Sequence, residues 1–288
     1  MLKAWRAGRG TSRHLPLTTQ WRGLLPHSQV VTRFVAMKTV VLQSFRTHDV
    51  PVWIKTCLRS VQTWAATNKW NYEFLDDRFL SLAPRWVRQH CAGNIYALTD
   101  VCRLQWMRNA LDAGYERVIW ADADILVFKA SLVNVQTARG HAFAHELFLR
   151  LSPDGGFTLV EGLNNSLMVF EKQQEVLDVY LGKSLARLRS LAPGAVPRTA
   201  LGPELLRELH SEYSLNPLHG IGLFTLAVMR EIANGGGRLI QELLRGSPAR
   251  LGAANLCHFL RNLTPVADRA RFDMLYEVAV QRLLRCNR

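Results

Sequence analysis

No stretch of this 288-residue chain approaches the ~20 consecutive apolar residues that cross a bilayer. The strongest candidate, Gly220 to Met229, is too short, carries glycines and reads as a buried segment. Cysteine is sparse. The five thiols are Cys57, Cys91, Cys102, Cys257 and Cys286; their number is odd and none forms a Cys-x-x-Cys pair. That removes the usual spacing of zinc modules and disulfide frameworks. Three of them lie in apolar helical patterns, as reduced buried thiols of a cytosolic protein do. Finger spacing, an RNA-recognition signature and basic runs interleaved with aromatics are also missing, so no specific nucleic-acid partner is expected. Internal repeats and long low-complexity tracts are absent.

Acidic residues are missing from one region. Residues 1–36 hold Lys3, Arg6, Arg9, Arg13, Arg22 and Arg33 but no Asp or Glu. The formal charge of +13 therefore falls to +7, 30 basic against 23 acidic, over the remainder. The arm has no apolar segment of a secretory signal; it shares the composition of a transit peptide without its amphipathic helix. Met37-Lys38-Thr39-Val40-Val41-Leu42 reads as a protein start running into a strand. The expected organisation is a basic arm over 1–36, disordered or a product of start-site choice, and one domain over 37–288. Hydrophobic content of 48% is enough for that domain to bury a large core. A basic surface attracts nucleotides and anionic lipid alike and does not choose between them.

What is present alternates strand and helix. Thr39 to Phe45 is a β-branched apolar run, as in a strand buried on both faces. Pro51 opens a helix with Ile54, Cys57, Leu58, Val61 and Ala65 at helical spacing. Tyr72 to Leu75 reads as a second strand ending in Asp76-Asp77, and Thr99 and Asp100 as caps of a helix running to about Ala113. Arg117 to Ala121 is a third strand, with Asp122-Ala123-Asp124 at its exit. Further on, His141 to Leu147 and Ser166 to Phe170 read as strands. Lys172 to Ser190, Glu204 to His210 and Ala267 to Arg285 read as helices, with 191–200 and 234–237 as loops. The arginines of the last helix could touch a membrane surface, though packing against the domain fits its apolar face better. This order predicts an α/β domain with a mixed, mainly parallel sheet flanked by helices. Ligands of such sheets bind beyond the carboxyl ends of the strands, where both acidic pairs fall.

Two carboxylates separated by one residue project from the same side of extended chain. Such oxygen ligands suit Mn²⁺ or Mg²⁺, ions held by one or two carboxylates plus substrate phosphates. An exposed turn would also carry Asp-x-Asp. Here the flanking Val118, Ile119, Trp120, Ile125 and Leu126 are large and apolar, so the pair lies at a strand end facing a cleft or is costly to bury.

The segments Thr99-Asp100-Val101-Cys102-Arg103-Leu104, Ala113-Gly114-Tyr115 and Val118 to Phe128 resemble the core of GT-A-type glycosyltransferases, closest to glycogenin-like and initiating α-mannosyltransferase-like families. Asn164 to Phe170 is similar to the glycogenin-like Asn-Ser-Gly strand, with Leu167 in place of glycine. Leu201-Gly202-Pro203-Glu204 resembles a Thr-Gly-Pro segment, and Cys257-His258-Phe259 a late His-Phe segment. The resemblance covers roughly 37–262. It implies a metal-dependent enzyme that moves a sugar from a nucleotide-diphosphate sugar to a glycan, lipid-linked or protein acceptor, with retention. Asp122 and Asp124 would hold the metal, with His258 as third ligand. Gln43, Ser44 and Phe45 would line the base pocket. Asp100 and Arg103 would support the donor, and Asn165 and Glu204 would face the transferred sugar or the acceptor. The expected location is cytoplasmic, with peripheral membrane contact open.

Each side chain has a plainer reading too. His258 could be a satisfied core histidine, Arg103 could pair with Asp100 one helical turn away, Asn165 could close a turn, and Glu204 could favour the first turn of its helix. A nucleotidyltransferase would carry a glycine-rich loop and a lysine after the first strand, where Gln43-Ser44-Phe45-Arg46-Thr47 has neither. A haloacid-dehalogenase-type phosphatase places its Asp-x-Asp after the first strand, not the third. A non-catalytic carbohydrate- or partner-binding protein on the same scaffold stays open.

Overall fold

The computed structural model describes residues 37–153 and 155–285. The expectations for the 1–36 arm and for Cys286 lie outside the described residues. In chain order the elements are β1 (Thr39–Ser44), α1 (Val52–Thr67), β2 (Asn71–Leu75), α2 (Arg85–His90), α3 (Ile95–Asp112), β3 (Arg117–Ala121) and β4 (Ile125–Val127). There follow β5 (His141–Leu151), β6 (Phe157–Glu171), α4 (Glu175–Ser190), α5 (Pro203–Tyr213), β7 (Pro217–Leu223), α6 (Leu226–Ala233), α7 (Arg238–Gly246), β8 (Ala253–Asn255), α8 (Phe259–Leu263) and α9 (Arg269–Arg285).

The strands form one sheet in the order β2-β1-β3-β6-β5-β7-β8-β4. Two parallel triplets, β2-β1-β3 and β5-β7-β8, are joined by β6, which runs antiparallel to both β3 and β5; β4 closes the order antiparallel to β8. The α/β class and the mixed sheet agree with the alternating pattern of apolar runs. Strand β1 is buried from Thr39 to Gln43, as a strand covered on both faces must be. On one face α3 and α4 bury Leu104, Met107, Leu177 and Tyr180; on the other α1, α6 and α9 bury Trp53, Ile54, Val228, Met229, Phe272 and Tyr276. The apolar stripe of α9 is thus used in packing.

One connection bends the sheet. β3 and β4 stand third and eighth in the order, yet only Asp122-Ala123-Asp124 separates them. Four extended steps span at most about 14 Å, so the sheet must curl until its last strand returns beside its third. The acidic step sits at that closure.

Several boundaries differ from the sequence reading. Helix α3 begins at Ile95, because Asn94 caps it by accepting from the backbone N–H groups of Tyr96 and Ala97. Thr99 lies a turn inside and returns its hydroxyl to the carbonyl of Tyr96. Helix α4 starts at Glu175, not Lys172, since Gln173 takes a left-handed φ of 73°. Strands β5 and β6 extend past Leu147 and before Ser166 into a two-stranded ribbon.

Candidate functional site

Backbone contacts hold the acidic step from three sides. The Asp122 N–H donates to the carbonyl of Ser166 at 2.7 Å, continuing the β3–β6 pairing by one residue. The Ile125 N–H turns back to the carbonyl of Asp122 at 3.0 Å, and the Leu256 N–H reaches that of Asp124 at 3.0 Å. Gln43, fully buried at the end of β1, donates its amide to the Asp122 carbonyl at 3.1 Å and accepts from the Tyr72 hydroxyl. Gln43 therefore acts on the peptide that aims Asp122.

Each carboxylate uses one oxygen for structure. Asp122 Oδ1 accepts from Trp120 Nε1 at 2.6 Å and lies 3.0 Å from Arg103 Nη1. Asp124 Oδ2 accepts from the backbone N–H of His258 at 2.6 Å. Among the described residues no side chain or backbone group of another residue is seen to donate to Asp122 Oδ2 or Asp124 Oδ1. Burial raises the pKa of both acids; for Asp124 the neighbouring charge of Asp122 adds to burial and brings it to about 6.

Behind the pair, Arg103 on α3 holds a buried polar knot. Its Nη2 lies 3.3 Å from Asp100 Oδ1, and its Nη1 donates to the carbonyl of Asn165 at 2.9 Å. Nε is buried without a hydrogen-bond partner among the described residues. The Asn165 amide donates to Asp100 at 2.9 Å and lies 3.3 Å from the Tyr180 hydroxyl, which in turn donates to the Leu201 carbonyl. Burial pushes Asp100 up to about 6 against the pull of Arg103. Asp100, Arg103, Asn165 and Asp122 are thus brought together. Arg103 reaches the cleft, but its charge is already shared by two acids.

Asn165 owes its place to an irregularity. β5 and β6 pair Phe143 with Met168 and then Ala144 with Asn164. Asn165, Ser166 and Leu167 therefore bulge out of the β5 pairing, a device that re-aims side chains near sites. Beneath the bulge lies a residue the sequence reading passed over, Glu146. It is 3% exposed and accepts from Ser166 Oγ at 2.5 Å, Asn164 Nδ2 at 2.7 Å and Asn255 Nδ2 at 2.8 Å. Asn255 also accepts from the Cys257 N–H. Glu146 therefore links β5, the bulge and the turn that carries His258. Burial raises it to about 7 despite three donors. A lone acid among apolar residues on β5 was the only signal available.

In front of the pair lies a cleft of about 270 Å³ whose lining includes Ser44, Phe45, Phe79, Thr99, Asp122, Asp124 and His258. His258 packs its ring against Phe45 and Trp53, with centroids at 5.2 and 5.8 Å. Burial first, then Arg46 and Arg261, lower its pKa to about 4, so the ring is neutral at pH 7, and its Nε2 is buried without a hydrogen-bond partner among the described residues. Glu204 is placed outside the cleft lining, at the start of α5, where it accepts from the Thr199 hydroxyl.

A hard divalent cation suits this donor set. Four carboxylates line the cleft, Asp76, Asp77, Asp122 and Asp124, against two guanidiniums, those of Arg46 and Arg103. The two unused oxygens of Asp122 and Asp124 could hold such an ion, leaving its other positions to a phosphate-bearing ligand. Among the described residues no three His, Cys, Asp or Glu side chains are gathered as a metal cluster; His258 lines the same cleft as Asp122 and Asp124. The four described cysteines are free thiols. No helix among the described residues is long and apolar enough to cross a membrane.

No family model and no curated protein matches the chain. Similar solved structures include a glycosyltransferase involved in the glycosylation of the major capsid of PBCV-1, 12% identical, with a TM-score of 0.45 over 83% of this chain and 98% of that one. Another is mannose-1-phosphate geranyltransferase from Thermus thermophilus, 14% identical, with a TM-score of 0.29 over 57% of this chain and 67% of that one. A third is A197 from STIV, 10% identical, with a TM-score of 0.25 over 49% and 68%.

Proposed function

We propose that this chain is a divalent-cation-dependent glycosyltransferase that takes a sugar from a nucleotide-diphosphate sugar and passes it to a glycan, lipid-linked or protein acceptor. One observation carries the reading: two carboxylates at a strand exit each keep an oxygen unclaimed by other described residues, in a cleft already rich in negative charge. A diphosphate would be repelled there unless a cation came with it. Asp122 and Asp124 would hold Mn²⁺ or Mg²⁺, and such an ion would supply neutralisation of the charge on the departing nucleotide.

The chain's own residues do the rest. Gln43 and Arg103 fix the orientation of Asp122, one through its carbonyl and one through its carboxylate. The His258 N–H does the same for Asp124. Phe45 and Tyr96 give the cleft aromatic walls on which a base can stack. Asp100 and Asn165 hold Arg103, so their part in donor support is exerted through it.

The test is turnover of UDP- and GDP-sugars with Mn²⁺, read as donor hydrolysis or transfer. Asp124→Ala should lower the rate by about a hundredfold or more, the effect of several kcal/mol of lost charge stabilisation. A variant as fast as the wild type would refute the assignment. Absence of any donor turnover, and of any stabilisation by nucleoside diphosphates with Mn²⁺, would favour a binding protein on this scaffold.

A further inference from the structure

A second cavity of about 540 Å³ shares no lining residue with the acidic cleft. It opens where β4 ends: from Asp124 to Phe128 the chain runs four extended residues, roughly 13 Å, away from the acidic pair. Phe128, Leu132, Phe224, Ile240 and Leu251 form apolar walls contributed by the segments after β4 and β7, the segment before β8, and α7. Its volume falls in the range of about 300–1,000 Å³ usual for small-molecule sites.

The charged residues of its lining are all of one sign. Lys129, Arg250 and Arg282 border it, and no Asp or Glu lines it. None of the three is in an ion pair among the described residues. Elsewhere on the surface Arg187, Arg245 and Arg261 each have a carboxylate partner. The backbone is also kept clear of the rim. A Cβ on Gly235, whose φ is 105°, would come within 3.1 Å of the Arg282 guanidinium.

An apolar interior behind a rim of uncompensated cations matches an amphiphile with an anionic head. We propose that this cavity binds a single-chain amphiphile bearing a carboxylate or phosphate, with its hydrocarbon chain against the apolar walls, Leu132, Ile240 and Leu244 among them, and its head at Lys129, Arg250 and Arg282. The site is separate from the acidic cleft and does not depend on the function assigned to that cleft.

Decanoate and decyl phosphate, titrated below their micellar concentrations into the full chain by calorimetry, are the probes; decanol is the neutral control of equal chain length. The expected result is saturable one-to-one binding of both anions, about tenfold tighter than decanol and weakened by added salt. Arg250→Gln with Arg282→Gln should remove most of that preference while leaving the unfolding midpoint unchanged, since both side chains are exposed. Leu244→Asp, an exposed position on the cavity wall, should weaken the anions and decanol alike. Binding of decanol as tight as decanoate would overturn the proposal, as would anion affinity unaltered in the double variant. So would the lack of any saturable binding, or association only with anionic vesicles.

Discussion

Arg103 is the side chain on which the acidic knot depends. It sits between Asp100 and Asp122, 9% exposed at the side chain, with distances of 3.3 and 3.0 Å to their carboxylates. Removing a buried partner leaves uncompensated charge, which costs about 3–5 kcal/mol. Arg103→Met should therefore lower the urea midpoint sharply at pH 7. Arg103→Lys should recover only part of the loss, because an ammonium cannot reproduce the fork that reaches Asp100, Asp122 and the Asn165 carbonyl. Wild-type stability in Arg103→Met would mean that both acids are neutral there. Glu146 makes a different prediction. Its folded pKa of about 7 lies above the ordinary 4.5, so its contribution to stability is full below about 4.5 and is lost as pH rises through 7. Glu146→Gln should cost about 1–3 kcal/mol through mismatched donors, and the deficit should be larger at pH 5 than at pH 8. A deficit equal at both pH values would show that Glu146 does not titrate in this window.

The elements explain which part of this was legible beforehand. Strands β1 and β3 were readable because burial on both faces demands continuous apolar runs, and Asp122 and Asp124 stood out against them. The bulge at Asn165 was not readable, since it is fixed by pairing with β5 and not by local composition. The outer part of β6 carries Thr158, Glu161, Gly162 and Asn164, most of them exposed, so no period of two marks it. The start of α3 was misplaced because two capping residues, Asn94 and Thr99, compete within a few positions. The structure decides for Asn94, whose side chain also donates to the Val196 carbonyl at 2.6 Å. Asn94→Ala should cost about 1–2 kcal/mol in chemical unfolding. Thr99→Ala, inside the helix, should cost less. Because α3 presents Asp100 and Arg103, the Asn94 variant should lower site activity only as far as it lowers folded population; a larger fall would mean that the cap also sets their position.

At the scale of the whole molecule, the curl that returns β4 to β3 concentrates acids that a protein would otherwise keep apart. Asp100 and Asp124 are held near 6 by burial, and Asp122 is raised with them. Without a cation, folding favours their protonated forms. Stability contributed by these groups is therefore complete below about pH 4 and declines as pH rises through about 6. A divalent ion reverses the sign for the pair it binds, because it needs both carboxylates ionised. Thermal unfolding with a chelator should thus show a midpoint that falls between pH 5 and 8 from this source. Added Mn²⁺ should raise the midpoint little at pH 5 and clearly at pH 8, and a nucleoside diphosphate should enlarge the difference by adding ligands to the same ion. Asp124→Asn removes the titrating group and one metal oxygen together, so it should abolish the pH dependence of the Mn²⁺ effect. Equal stabilisation by Mn²⁺ at both pH values, retained in Asp124→Asn, would place the ion elsewhere and detach the acidic closure of the sheet from metal binding.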